Sequence, residues 1–200
     1  LSSDTLPIKH LTQEAKREIV EREPLVLSYI RDVCPELFDK RAILEQKSYV
    51  DNKIIADEYA ELYDLPTNQE RLFQFINRAN LTPTERIALI KFMLLSFSDI
   101  HVTNVAHRDL GQDCIWASPT KISLSGFMSA TLPNRQTIRQ RLPILRANRI
   151  KLPEYELDDL ETDPFKQDVF LLGVAAHLIA FDENPELEEG VPDWKIKDGF

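Results

Sequence analysis

The chain has 200 residues, 43% of them hydrophobic and 28% charged, which is enough apolar content for a core and excludes a disordered chain. Its 24 Lys and Arg against 33 Asp and Glu leave a net charge of -9, which argues against a non-specific nucleic-acid binder, because affinity for phosphate backbones needs positive charge. Cys34 and Cys114 lie far apart, make no metal-ligand spacing and fit a reducing cytoplasm, and the longest apolar stretch, the 13 residues Val169 to Phe181, falls short of the ~20 that a membrane-spanning helix needs.

The first residues lack a basic region followed by an apolar run, so no secretory leader is expected. Glu14 to Ile30 is helical by composition, with Pro24 expected to kink it or mark a first turn. Arg41 to Leu44 and Ile54 to Tyr59 read as strands. Asn68 suits the cap of a helix over Glu70 to Ile76. Thr82, Pro83 and Glu85 read as an N-cap, a first-turn proline and a capping-box acid. The helix they open, to about Ile100, places Ile87, Ile90, Leu94, Phe97 and Ile100 at helical spacing, the pattern of a buried stripe.

Beyond Val105, Ile115 to Ala117 and Lys121 to Leu124 are short strands, and Ser118-Pro119-Thr120 between them suits a hairpin turn. Asn134 to Lys151 is basic and Glu154 to Asp163 acidic, a pairing expected of a solvated loop. Val169 to Phe181 is apolar on nearly every face and predicts a helix buried on all sides. Asp182 to Phe200, acidic and holding Pro185 and Pro192, reads as loop.

One local constellation carries chemistry. His107-Arg108-Asp109-Leu110 follows the long helix and precedes the small hairpin. With Leu94 to His101 upstream, it resembles the catalytic loop of the protein kinase family. Other landmarks fall in the same order. Leu6-Pro7-Ile8-Lys9 is similar to the strand bearing the phosphate-binding lysine, and Arg22-Glu23 to the helix glutamate that pairs with it. Ile54 to Ala60 resembles the hinge whose backbone binds adenine, Leu124-Ser125-Gly126 stands at the metal-binding motif, and Leu152-Pro153-Glu154 resembles the close of the activation segment. Asp168 with Leu172-Gly173-Val174 resembles the buried aspartate and helix that anchor the catalytic loop.

The resemblance implies an α+β, protein-kinase-like fold. Residues 1–65 would form a small partial N-lobe of strands and one helix, and residues 66–200 a mainly helical C-lobe truncated at its end. It also implies roles. Lys9 would hold the phosphates of ATP and Glu23 would hold Lys9. Asp109 would accept the substrate proton, with Glu58 and Ala60 against the nucleotide. His107, Arg108 and Asp168 would brace the loop, and Arg108 would be placed to receive a phosphate, with Thr137 its best placed source. His107 on its own reads as a packed core histidine, and the resemblance agrees.

The departures from the family pattern matter as much. Five positions after Asp109, where an asparagine would hold a metal, stands Cys114; Leu124 replaces the metal-binding aspartate. A thiol is a poor ligand for hard Mg²⁺ and leucine is none, so Mg²⁺ is expected to bind weakly or not at all, with Asp113 the remaining carboxylate nearby. The expectation is a pseudokinase: a regulatory or scaffolding module with impaired phosphoryl transfer, working in the cytoplasm with protein partners or flanking domains and engaging neither membrane nor nucleic acid. The alternatives are an active atypical Ser/Thr kinase using Lys9, Asp109 and Asp113, and an unrelated helical interaction domain.

Overall fold

The computed structural model describes residues 6–7, 12–40, 42–45, 54–55, 58–59, 64, 67–111, 113–135, 163–188 and 191–193. Lys9, Ala60, Thr137 and the Leu152-Pro153-Glu154 stretch lie outside them, as does the basic and acidic run over 136–162. Helices and small antiparallel sheets together give a mixed α+β architecture.

Helix α1, Gln13–Val33, opens on Thr12, whose hydroxyl accepts from the Ala15 amide at 3.2 Å. The helix runs on through Pro24, so Pro24 neither begins nor ends it. Tertiary packing outweighs the missing amide here, because Glu23, Val26, Leu27 and Ile30 around the proline are all buried. Arg22 and Glu23 are charged residues at core-facing positions of this helix. A short helix α2, Glu36–Asp39, follows and buries Leu37 and Phe38.

Strands β1 (Leu6–Pro7), β2 (Ile54–Ile55) and β3 (Glu58–Tyr59) form one sheet with β3 in the middle. The expected single strand Ile54 to Tyr59 is therefore two strands, with Ile54 opposite Tyr59 and Ile55 opposite Glu58. The expected strand Arg41 to Leu44 reduces, among the described residues, to a parallel bridge between Ile43 and Leu124.

The second sheet has β5 (Ile115–Ser118) between β4 (Glu70–Arg71) and β6 (Lys121–Leu124). The hairpin stands where the sequence puts it, Ile115 opposite Leu124 and Ser118 opposite Lys121. Strand β4 is a correction: Glu70 and Arg71 pair with Ala117 and Trp116, and helix α3, Leu72–Arg78, begins after them without a side-chain cap from Asn68. Cross-strand pairing takes the two residues that composition assigns to the helix.

Helix α4, Pro83–Val102, has the expected capping box, with Thr82 and Glu85 bonded reciprocally. Its buried face is not the expected stripe: Phe97 and Ile100 are buried, but Ile87 and Leu94 are 54% and 46% exposed, and Leu89 and Met93 take the core positions. Apolar residues surround this helix, so spacing alone cannot choose its inner face.

Helix α5, Pro164–Phe181, is capped by Asp163, which accepts from the Phe165 amide at 2.9 Å. It packs on α4. Burial on all sides does not hold, because Val169 is 62% exposed and Gly173, Ala176 and Ala180 are partly so. By length and composition alone α5 is apolar enough to cross a membrane, but half of it is buried within the protein. Strands β7 (Glu186–Glu188) and β8 (Val191–Asp193) then pair antiparallel where loop was expected. Pro192 is accommodated because both strands of a two-stranded ribbon are edges.

One hydrophobic cluster joins Val26 and Ile30 of α1, Phe75 of α3, Met93 and Phe97 of α4, Leu124 of β6 and Leu178 of α5. Residues on both sides of position 65 share this core.

Candidate functional site

The loop from Val105 to Leu110 leaves the C-terminus of α4 and enters the β5–β6 hairpin. Beneath it lies Asp168, on the first turns of α5, with no exposed surface. Asp168 Oδ2 accepts from the His107 amide at 2.6 Å and Oδ1 from the Arg108 amide at 2.7 Å. His101 Nε2, on the last turn of α4, lies 2.9 Å from Oδ2. Three donors thus surround a buried carboxylate, which is what such a group needs. The two backbone bonds tie Asp168 to the loop that the resemblance has it brace; His101 was not singled out in the sequence, although a histidine in the last turn of an apolar helix, six residues before His107, is a legible signal.

Arg108 has a left-handed backbone, φ 66°, an uncommon state for a residue with a β-carbon. Its side chain is 3% exposed and its Nε donates to Gln167 Oε1 at 3.2 Å. The Arg108 side chain is thus engaged with the first turn of α5.

His107 is fully buried. Its ring packs edge-on against Phe127 at 4.6 Å, Nε2 lies 2.9 Å from the Ser125 carbonyl oxygen, and Nδ1 receives the Asp109 amide at 3.3 Å. Both bonds together require the neutral ring with its proton on Nε2. Histidine is thus a brace between the loop and the end of the hairpin, and Asp109 follows it half-buried.

Leu124 and Cys114, which the resemblance sets at metal-ligand positions, are both buried. Leu124 has no exposed surface, its amide donates to Ala42 and its carbonyl accepts from Leu44. Cys114 is buried and its thiol donates to the Asp109 carbonyl at 3.5 Å. The same sulfur lies 2.9 Å from the point where a β-carbon on Gly126 would stand, and Gly126 has φ 79°. Only glycine meets both demands. Asp113 forms an ion pair with Arg71 at 3.0 Å, and that guanidinium also lies 5.5 Å over the Trp116 ring. An aliphatic side chain, a thiol and a carboxylate already paired offer few of the oxygen ligands that a hard divalent cation prefers. Among the described residues no three His, Cys, Asp or Glu side chains stand together as ligands.

Glu23 has no exposed surface, and its Oε1 accepts from the Gly126 amide at 3.2 Å and the Phe127 amide at 3.0 Å. Helix α1 is therefore tied to the segment leaving β6 by a carboxylate, next to His107. Its expected partner Lys9 lies outside the described residues. Glu58 is in β3, the middle strand, with Pro7 on one side and Ile55 on the other, so its backbone has no open sheet edge to offer adenine. Arg71, Trp116 and Gln167 also belong to this neighbourhood and carry no local sequence signal, since each is placed by a pairing distant in the chain.

No family model matches this chain, and no curated protein matches it.

Proposed function

We propose that the chain is a protein-kinase-like module with a degenerate metal site, a pseudokinase that regulates or scaffolds protein partners or flanking domains in the cytoplasm rather than transferring phosphate. The observation that carries this reading is the grip of Asp168 on the His107 and Arg108 amides. It fixes a loop whose letters resemble a catalytic loop, with Asp109 at its open end. Beside it, Leu124 and Cys114 stand where metal ligands would be required, one in the core and the other bonded to the Asp109 carbonyl.

Phosphoryl transfer is mostly positioning and neutralisation of phosphate charge by metal ions. A scaffold that keeps the positioning loop and lacks the metal ligands is suited to binding and not to turnover. Glu23, holding the Gly126 and Phe127 amides, supplies from the protein itself a tie that organises this segment.

The reading is tested by thermal unfolding with ATP in the presence and absence of Mg²⁺. Any stabilisation by ATP is expected to be the same in both, since the metal adds no differential affinity. A stabilisation that appears only with Mg²⁺ would overturn it.

A further inference from the structure

The face of α4 that turns away from the core carries exposed apolar side chains. Leu95 is 56% exposed, Val102, the last residue of the helix, is 83% exposed, and Ala88 is exposed as well. These three stand seven residues apart, which is about two helical turns, so they form one stripe along the helix. Ile87 and Leu94, exposed likewise, flank it. Single apolar residues are ordinary on a surface, but a contiguous stripe of them marks an interaction site.

The stripe also carries two charges. Lys91 and Asp99, both exposed, stand four residues to either side of Leu95, one turn away in each direction. Among the described residues neither forms an ion pair. A second α4 laid on this stripe end for end, with Leu95 against Leu95, sets Lys91 opposite Asp99 and Ala88 opposite Val102. Cation then meets anion and small side chain meets large, each pair twice. A parallel arrangement would instead set Lys91 against Lys91 and Asp99 against Asp99. The stripe is therefore complementary to itself in the antiparallel sense alone.

We propose that this face binds a second copy of the chain, α4 against α4, antiparallel about a two-fold axis at Leu95. A two-fold axis repeats every contact, and the order of charges on the stripe is the one it requires. Exposed charge pairs set orientation and register more than strength. Burial of Leu95 and Val102 supplies the affinity. The contact is one helix face wide, so a weak, concentration-dependent dimer is expected. Pairing covers Val102, where α4 gives way to the loop that bears His107, and so steadies the helix end from which that loop leaves. The surface does not depend on the kinase-like reading.

The test is sedimentation of the full chain at low salt, over concentrations that reach the millimolar range. A monomer–dimer equilibrium is expected. Lys91→Asp and Asp99→Lys each set like charges opposite one another and weaken the dimer about tenfold. The double variant restores opposite pairs in exchanged places and recovers the native constant to within about threefold. Val169→Ser, exposed on α5 outside the stripe, leaves it unchanged. All of these are surface changes, and an unaltered thermal midpoint at low concentration shows that each variant is folded. A chain that stays monomeric at every concentration would overturn the proposal, and so would a dimer that the single reversals spare or that the double variant fails to recover.

Discussion

Asp168 is the residue on which the candidate loop depends. A buried carboxylate is stable only while its donors remain, and here two are backbone amides of the loop itself. Asp168→Ala is expected to lower stability by about 2–4 kcal/mol in denaturant unfolding, the cost of leaving those amides buried without an acceptor. A loss below about 0.5 kcal/mol would show that the loop is held by other contacts. Gly126 makes a second demand at this scale. Gly126→Ala combines a left-handed backbone with a contact to the Cys114 sulfur, and is expected to cost about 2 kcal/mol or more. Removing the sulfur in the Cys114→Ala background should recover the part due to contact and leave about 1 kcal/mol of backbone cost. Equal costs in the two backgrounds would mean that the sulfur is not what excludes a side chain.

Among the helices, α4 shows what a sequence can and cannot specify. Its start is written locally, because Thr82 and Glu85 satisfy each other's orphan amides three residues apart and Pro83 has no amide hydrogen to satisfy. Thr82→Ala should cost about 1 kcal/mol in thermal or denaturant unfolding. Glu85 makes the cap sensitive to pH: bonds from the Thr82 hydroxyl and amide hold its carboxyl below the ordinary value of 4.5. A depressed folded pKa gives stability that is complete above the ordinary carboxyl range and is lost as pH falls through it to the lower folded value. The advantage of the native chain over Glu85→Gln in thermal midpoint should therefore shrink between about pH 6 and about pH 3. An advantage constant over that interval would show that the ionised carboxylate does not contribute to the cap. The inward face of α4 is not written locally. Ile87 and Leu94 keep perfect helical spacing and are exposed, because Leu89 and Met93 offer an equally apolar face that the partners select. Helix α5 repeats the lesson: nearly all its residues are apolar, and only its packing distinguishes Leu171 and Leu178 from Val169.

For the whole molecule, the legible features were those fixed by neighbours in the chain: the hairpin at Ser118 to Lys121 and the cap of α4. Asp168 was found through its resemblance to a buried loop anchor, not through spacing, and its bonds to the loop span about sixty residues. What escaped reading depends on distant pairing. The split of Ile54 to Tyr59 into two strands, the loss of Glu70 and Arg71 to the sheet, and the middle position of Glu58 all follow from strand partners that composition does not name. Arg22 and Glu23 are charges that the structure buries on the core side of α1, and that conflict between charge and burial marks the Glu23 tie. The central claim is that this scaffold holds a catalytic-like loop without metal-dependent turnover. Phosphate transfer from ATP with Mg²⁺ to a generic Ser/Thr peptide tests it most directly: the native chain and Asp109→Asn should give the same background rate, whereas a native rate well above background and abolished by Asp109→Asn would contradict the account and identify an active kinase.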